Sequence, residues 1–376
     1  MGPLSGTTII EMGGIGPGPF CGMMLADMGA EVVRLERRDA APTAESRTAV
    51  LNRGKKSLAI DLKHPLAAGV ILKMVEQADG LFEGFRPGVM EKLGLGPTEC
   101  LARNPRLIYG RMTGWGQEGP LSQRAGHDIN YIALSGALNC MGRRDQRPVP
   151  PLNLVGDFGG GGMYLAFGMV CALLERERSG QGQVIDAAIV DGAASLLSMI
   201  HWYVAAGRWS LEREDNALDG AAPFYDTYET SDGLYISLGS IEPQFYATML
   251  RLLEIEGVKL SEQRNKQKWG ELKARIAAKV RQKTREQWCR LLEEHDVCFA
   301  PVLGLDEAPE HPHNRARGTF VEIEGVMQAA PAPRFSRTSP PVPAPPPEPG
   351  GDTLDLLSRF GFQTQEIERL QGERVV

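Results

Sequence analysis

Thr7-Thr8-Ile9-Ile10-Glu11-Met12-Gly13-Gly14-Ile15-Gly16-Pro17-Gly18-Pro19-Phe20, running on through Gly29 to Glu31-Val32-Val33-Arg34-Leu35, decides the fold. Thr7–Met12 is a short, β-branched apolar run, Gly13–Pro19 a glycine-rich turn, Phe20–Gly29 a helical stretch and Glu31–Leu35 a second strand. Together they read as a βαβ unit. The same alternation continues outward. Pro65–Gln77 reads as helix, Gly80–Phe82 as strand, Gly88–Leu93 as helix, Leu107–Met112 and Val184–Ile189 as strands. An α/β core with a largely parallel sheet is expected.

Asp157 stands before four glycines, Gly159–Gly162, which open an apolar helix through Leu174 that ends in Glu175–Gly180. Asp191–Trp209 reads as one more helix and Arg213–Gly220 as exposed linker. A smaller α+β region follows. Phe224–Thr230 and Leu234–Leu238 flank the hairpin turn Ser231-Asp232-Gly233. Helices are expected at Pro243–Leu253, Lys268–Gln282 and Arg285–His295, and the region closes near Glu310–His313. Nine of the 26 prolines fall in 331–350, an extended surface segment, and Thr364–Gln371 is a last amphipathic helix.

At 376 residues the chain fits two domains, and 42% hydrophobic with 23% charged residues is ordinary for a globular protein. A net charge of −6 argues against nucleic acid as a partner. An anionic ligand would then need locally gathered Arg and Lys. The six cysteines show no CxxC spacing, and reduced, mostly buried thiols in an intracellular compartment are expected. No apolar run reads as long enough to span a bilayer, and the start lacks a signal-peptide layout, so a cytoplasmic protein without membrane contact is expected.

The Gly13–Pro19 turn invites a nicotinamide reading, with Glu36 where a ribose-binding acid would stand. Cys21 occupies the place of the last small residue, and Pro17 and Pro19 each remove an N–H donor, so a tight strand-to-helix turn is the better reading. Arg37, Arg38, Arg53–Lys56, Lys63 and Arg86 gather near expected strand ends, either as one anion site or as solvated surface. His127, in Gly126-His127-Asp128-Ile129-Asn130-Tyr131, is a proton-transfer group or a structural histidine. Asp157 is a helix N-cap, or a group beside glycines that let a ligand approach and leave N–H groups for an oxyanion. Glu242, before Pro243, reads as an N-cap. His311-Pro312-His313 is isolated, and no metal site is expected.

These residues resemble the class III CoA-transferase (CaiB/BaiF) family. The likeness rests on Gly16–Phe20, Leu58–Lys63, Phe85–Leu93, Gly114–Pro120, Ala125–Tyr131, Pro151–Gly162, Gly180–Asp186, Gly220–Tyr228 and Ile241–Tyr246. It spans about residues 4 to 362, with residues 39–52 matching poorly and 340–349 without an assigned role. The resemblance implies a Rossmann-like large domain built from both chain ends plus a smaller α+β domain, in an interlocked homodimer. The ranges implied are 1–190, a linker helix 191–220, the small domain 221–310 and a return segment 311–376. It further implies racemisation of 2-methyl-branched acyl-CoA thioesters. His127 and Asp157 would exchange the α-proton through an enolate, Glu242 would support the His and Asn153 the Asp. Coenzyme A contacts would fall on Arg37, Arg38, Ile60, Asp61, Leu62, Arg86, Lys92, Gly126, Asp128 and Tyr131. Coenzyme A is then part of the substrate and no cofactor is required. The rival is CoA transfer with Asp157 as nucleophile. A non-catalytic CoA-binding protein is a third reading.

Overall fold

The computed structural model describes residues 1–39 and 43–376, so residues 40–42 of the poorly matching stretch lie outside the described residues. Contacts divide the chain into two units, 1–135 with 152–196 and 318–376, and 136–151 with 197–317. The first unit begins β1 (Thr8–Met12), α1 (Pro17–Asp27), β2 (Glu31–Arg37), α2 (Ala44–Arg47), β3 (Lys56–Ile60), α3 (Ala67–Val75) and β4 (Gly80–Glu83). It continues with α4 (Val89–Lys92), α5 (Pro97–Arg103), β5 (Ile108–Thr113) and α6 (Asp128–Leu134). A π-helical segment (Leu154–Gly162) then runs into α7 (Met163–Ser179), β6 (Gln183–Ala188) and α8 (Ile189–Leu196). The second unit holds α9 (Ser198–Ala205), β7 (Tyr225–Glu229), β8 (Tyr235–Gly239), α10 (Pro243–Leu252), α11 (Lys266–Val280), α12 (Arg285–Leu292), β9 (Phe299–Val302) and α13 (Pro312–Arg317). The chain returns to the first unit with β10 (Phe320–Ile323), β11 (Val326–Ala329), α14 (Thr353–Arg359) and α15 (Thr364–Gly372).

Six parallel strands in the order β3-β2-β1-β4-β5-β6 make the first unit's sheet. This is the doubly wound, Rossmann-like order, whose switch point lies between β1 and β4. One face packs Ile10, Val33, Leu58, Leu81 and Tyr109 on α3 and on Leu356 and Leu357 of α14. The other packs Ile9, Val32, Phe82 and Ile108 against α1 and α7. Both chain ends therefore contribute to one core. The second unit closes its three-stranded antiparallel sheet β7-β8-β9 over Phe224, Tyr246, Trp269 and Trp288.

Several expectations are corrected. The helix α1 starts at Pro17 rather than Phe20, because proline in a first turn removes only N–H groups that have no intrahelical partner. Asp191–Trp209 is two helices divided at Leu197, where the first unit gives way to the second. Residues 213–220 are not an exposed linker. Asn216 is buried and donates its side-chain amide to Ser210 O at 3.0 Å, and Glu214 pairs with Arg143 at 2.9 Å and Lys273 at 3.1 Å. Of the six thiols only Cys21 and Cys100 are buried. Continuous helix over Leu154–Ser179, 26 residues with an 18-residue stretch of mean hydropathy 1.4, meets the length and composition needed to cross a bilayer. Glycines and Asp157 interrupt that run in the sequence but not in the backbone. Its inward face, with Leu165, Met169 and Leu173, is buried in the core of the first unit.

The proline-rich stretch is also more than free surface. β3 is an edge strand, and its outward N–H groups at Ser57 and Ala59 donate to Asp352 Oδ2 (2.9 Å) and Thr353 Oγ1 (3.0 Å). Gly54 N–H donates to Ala344 O at 2.9 Å. Residues just after the proline-rich segment thus cap this edge, and the segment itself meets the chain at Gly54, just before β3. Arg53 and Lys55, counted among ligand-binding candidates, are instead buried in ion pairs. Arg53 binds Asp27 at 2.6 Å, and Lys55 binds Glu11 at 2.6 Å with both side chains 0% exposed.

At the end of β4 the buried Glu83 accepts the Phe85 N–H at 2.7 Å and the Arg111 Nε at 3.1 Å. Burial nevertheless pushes its carboxyl up to about 7, against the pull of the Phe85 N–H and Arg111. A carboxyl with its folded pKa raised stabilises the fold below about pH 4.5, and that contribution is lost as pH rises through about 7. The unfolding free energy of wild type minus that of Glu83→Gln should therefore fall by about 3 kcal/mol between roughly pH 4.5 and 8. Denaturant titrations across that range check this, and a difference independent of pH would contradict it.

Candidate active site

Asp157 lies inside the π-helical segment, not at a helix start. Phe158 N–H reaches back five residues to Asn153 O at 3.2 Å. The glycines that follow serve helix packing rather than ligand approach. A Cβ on Gly160 would lie 2.6 Å from Ala193 N, and one on Gly192 would lie 1.9 Å from Gly160 O. A Cβ on Gly162 would come 2.7 Å from Pro17 O. α8 and α1 are thus in backbone contact with the segment that carries Asp157. The Asp157 N–H, expected to face an oxyanion, donates instead to Asp128 Oδ1 at 2.6 Å.

His127 is the N-cap residue of α6, with extended backbone (φ −133°, ψ 173°) and an exposed side chain. Its own N–H donates to Asn130 Oδ1 at 3.0 Å. Tyr131, one turn on, is buried and donates its hydroxyl to Gly126 O, while its ring stands edge-on to Trp115 at 4.7 Å. Gly114 makes room for that ring, since a Cβ there would lie 2.0 Å from it. The loop before His127 is thereby fixed. The Asp157 carboxyl is pushed up first by burial and then by Asp128, and pulled down by a hydrogen bond from Asn153 and by the charge of His127. His127, Asp128, Asn153 and Asp157 therefore meet within the first unit. Glu242 belongs to the second unit, where it is the exposed N-cap residue of α10 with no side-chain capping bond.

A cleft of about 950 Å³ opens at the carboxyl ends of β1, β2, β3 and β4. Arg37, Arg38, Ile60, Asp61 and Leu62 line it as expected of them. Arg38 Nε donates to Val376 O at 3.2 Å. Arg86 and Lys92 are exposed and do not line it, whereas their neighbours Phe85, Val89 and Leu93 do. Gly126, Asp128 and Tyr131 gather near Asp157 instead. Glu36 is engaged by Arg34 Nε (3.0 Å) and Ser57 Oγ (2.5 Å), so its carboxylate is already committed, which removes the ribose-binding role. Also in this lining, and not named as ligand contacts from the sequence, are Gly13, Gly14, Ile15, Arg34, Leu35, Asp39 and Arg374. The loop Gly13–Gly16 carried a signal, because it leaves β1 at the switch point. Arg374 carried none, being brought in from the far end of the chain. Among the described residues no group of three or more His, Cys, Asp or Glu is arranged to hold a metal ion.

Gly16 joins cleft to carboxylate. Its φ of +69° suits glycine, and a Cβ there would lie 3.1 Å from Asp157 Oδ2. Gly16→Ala should cost about 1 kcal/mol of stability and lower turnover at least roughly tenfold by crowding Asp157. Thermal unfolding and steady-state kinetics check this, and turnover equal to wild type would contradict it.

Residues 4–353 match the family described as CoA-transferase family III. Over 376 residues the chain is 47% identical to alpha-methylacyl-CoA racemase of Mus musculus, covering 99% of this chain and 97% of that protein. The corresponding protein of Homo sapiens is 43% identical over the same shares. Succinyl-CoA--D-citramalate CoA-transferase of Chloroflexus aurantiacus is 31% identical, covering 100% of this chain and 98% of that protein. Among solved structures, a CaiB/BaiF family protein from Brucella suis superposes with a TM-score of 0.82 at 26% identity, over 96% of this chain and 99% of that one. A glycine-rich turn at the switch point, a cleft over the strand ends and an Asp157 set against His127 thus occur in a chain that belongs to CoA-transferase family III.

Proposed function

We propose that this chain is a 2-methylacyl-CoA racemase, interconverting the (R) and (S) thioesters by removing and returning the α-proton. The carrying observation is the loop Gly13–Gly16. Gly13, Gly14 and Ile15 line the cleft, while Gly16 stands against Asp157. A coenzyme A moiety seated over the strand ends would thus bring its thioester to Asp157. Arg37 and Arg38 supply positive charge for its phosphates. The relatives named alpha-methylacyl-CoA racemase at 47% and 43% identity support the same reading.

A thioester acidifies its α-carbon, and racemisation needs an acid/base group on each face of that carbon. Asp157 takes the proton from one epimer while protonated His127 returns one to the other face. The reverse direction uses neutral His127 and protonated Asp157. The two groups share one exchangeable proton, so the apparent pKa values belong to the pair. Burial raises the Asp157 pKa and so favours the protonated form that the reverse direction needs. Asn153 steadies Asp157 by its hydrogen bond. Glu242 supports His127 in this reading, and no cofactor takes part, since coenzyme A arrives with the substrate. The chain works as a homodimer. Met163, Phe167, Val170 and Leu174 form an exposed apolar stripe along α7 that a second copy would cover.

A single epimer of a 2-methylacyl-CoA, incubated in heavy water without an acceptor acid, should epimerise and gain deuterium at C2. His127→Ala and Asp157→Ala should each slow this by about 10²- to 10⁴-fold. Coenzyme A passing to an added carboxylate, with no exchange at C2, would mean a transferase with Asp157 as nucleophile. In sedimentation, Phe167→Glu should shift the protein from dimer toward monomer. A monomeric wild type would contradict the dimer.

A further inference from the structure

Asp128 is buried, yet only one of its carboxylate oxygens has a partner. Oδ1 accepts the Asp157 N–H at 2.6 Å, while the buried Oδ2 has no hydrogen bond. The contact is built in, because a Cβ on Gly156 would lie 2.2 Å from Asp128 Oδ1. Asp128 also follows His127 directly and is the first residue of α6. One side chain thus connects the backbone of one reacting group to the chain neighbour of the other. An unpartnered carboxylate oxygen out of water is costly, and a fold that only needed to hold Asp157 would be served as well by a neutral acceptor.

We propose that Asp128 is a positioning residue for the racemase reaction. It holds the π-helical turn at the register that points Asp157 toward His127, and its negative charge keeps Asp157 a weaker acid than an ordinary aspartate. This inference rests on the racemase reading above. The ionisable groups facing Asp157 are Asp128, His127 and Tyr131, all from α6 and its cap. α1 and α8, also packed on the segment, carry buried Cys21 and Asp27 and exposed Asp191, and none of the three is among the charges acting on the Asp157 carboxylate. Of the facing groups Asp128 raises the Asp157 pKa and His127 lowers it. Proton sharing between Asp157 and His127 requires their affinities to be close, and a neighbouring anion moves the carboxyl upward toward the imidazole range.

Asp128→Asn separates the two roles, because an amide oxygen can still accept the Asp157 N–H while the charge is gone. Deuterium entry at C2 is followed as a function of pH in wild type and variant. The acid limb of kcat/KM should move to lower pH by about half a unit or more. The loss should appear in kcat, with KM changed by less than about threefold. An acid limb at the wild-type pH would overturn the inference. Deuterium entry absent from the wild type itself would instead overturn the racemase reading. Gly156→Ala tests the same contact while keeping the charge, by forcing Asp128 away from Asp157 N–H. It should lower kcat at least about tenfold in protein whose unfolding transition remains cooperative. Turnover within about twofold of wild type would overturn the positioning role.

Discussion

The carbonyl oxygen of Gly160 lies where a Cβ on Gly192 would come within 1.9 Å of it, so the two backbones touch with no side chain between them. The geometry of the candidate site follows from that contact. It pins the π-helical segment against α8 while Gly162 does the same against Pro17 of α1. A π-turn spreads five residues over each hydrogen bond and re-aims the side chains within it, and such turns recur at functional sites. Here the side chain so aimed is Asp157, and the backbone N–H that the turn turns outward is taken by Asp128. The loop leaving β1 is fixed by the same packing, because Gly16 precedes Pro17 and stands against Asp157.

Charge in the first unit is arranged in two ways. Glu11 in the middle of the sheet is enclosed by Lys55 and Arg34, and Asp27 by Arg53; Lys55 and Arg53 are buried and closed to a ligand, while Arg34 borders the cleft with its guanidinium already paired. Breaking one such pair leaves a buried charge alone, which makes them constraints on the fold rather than free stabilisation. Arg37 and Arg38, three and four residues beyond Arg34, reach the cleft as well. The difference is one of depth along β2. Arg34 is tied to Glu11 and Glu36 where it borders the cleft, and Arg37 ends the strand at the carboxyl edge, where a doubly wound sheet binds its ligands.

Much of this architecture was legible. Thr8–Met12, Glu31–Arg37 and the helix between them follow from a β-branched run, a glycine turn and a small-residue helix, and the parallel sheet follows from their repetition. β3 was not legible, since Lys56-Ser57-Leu58-Ala59-Ile60 is a short edge strand whose outward groups are satisfied by residues nearly 300 positions away. The four glycines after Asp157 were visible, but a glycine run looks the same whether ligand or helix approaches it. The approaching helix is α8, whose Gly192 has no distinctive local context. Asp128 was expected as a coenzyme A contact and not as a partner of Asp157, because that partner stands 29 residues on and nothing local marks a carboxylate turned inward. Local pattern recovers elements, while the site is made by pairs of residues distant in the chain.

The central claim is that two groups on opposite faces of one carbon share the proton transfer. Its most direct measurement is the early-time deuterium content of both epimers when one epimer reacts in heavy water. A group that takes a proton from the substrate returns that same proton if the enolate collapses backward, whereas the opposite face receives one from solvent. At low conversion the product epimer should carry deuterium at C2 while the recovered substrate remains almost unlabelled. Equal label in both epimers from the first turnovers would mean a single base serving both faces, and would contradict the paired roles of His127 and Asp157.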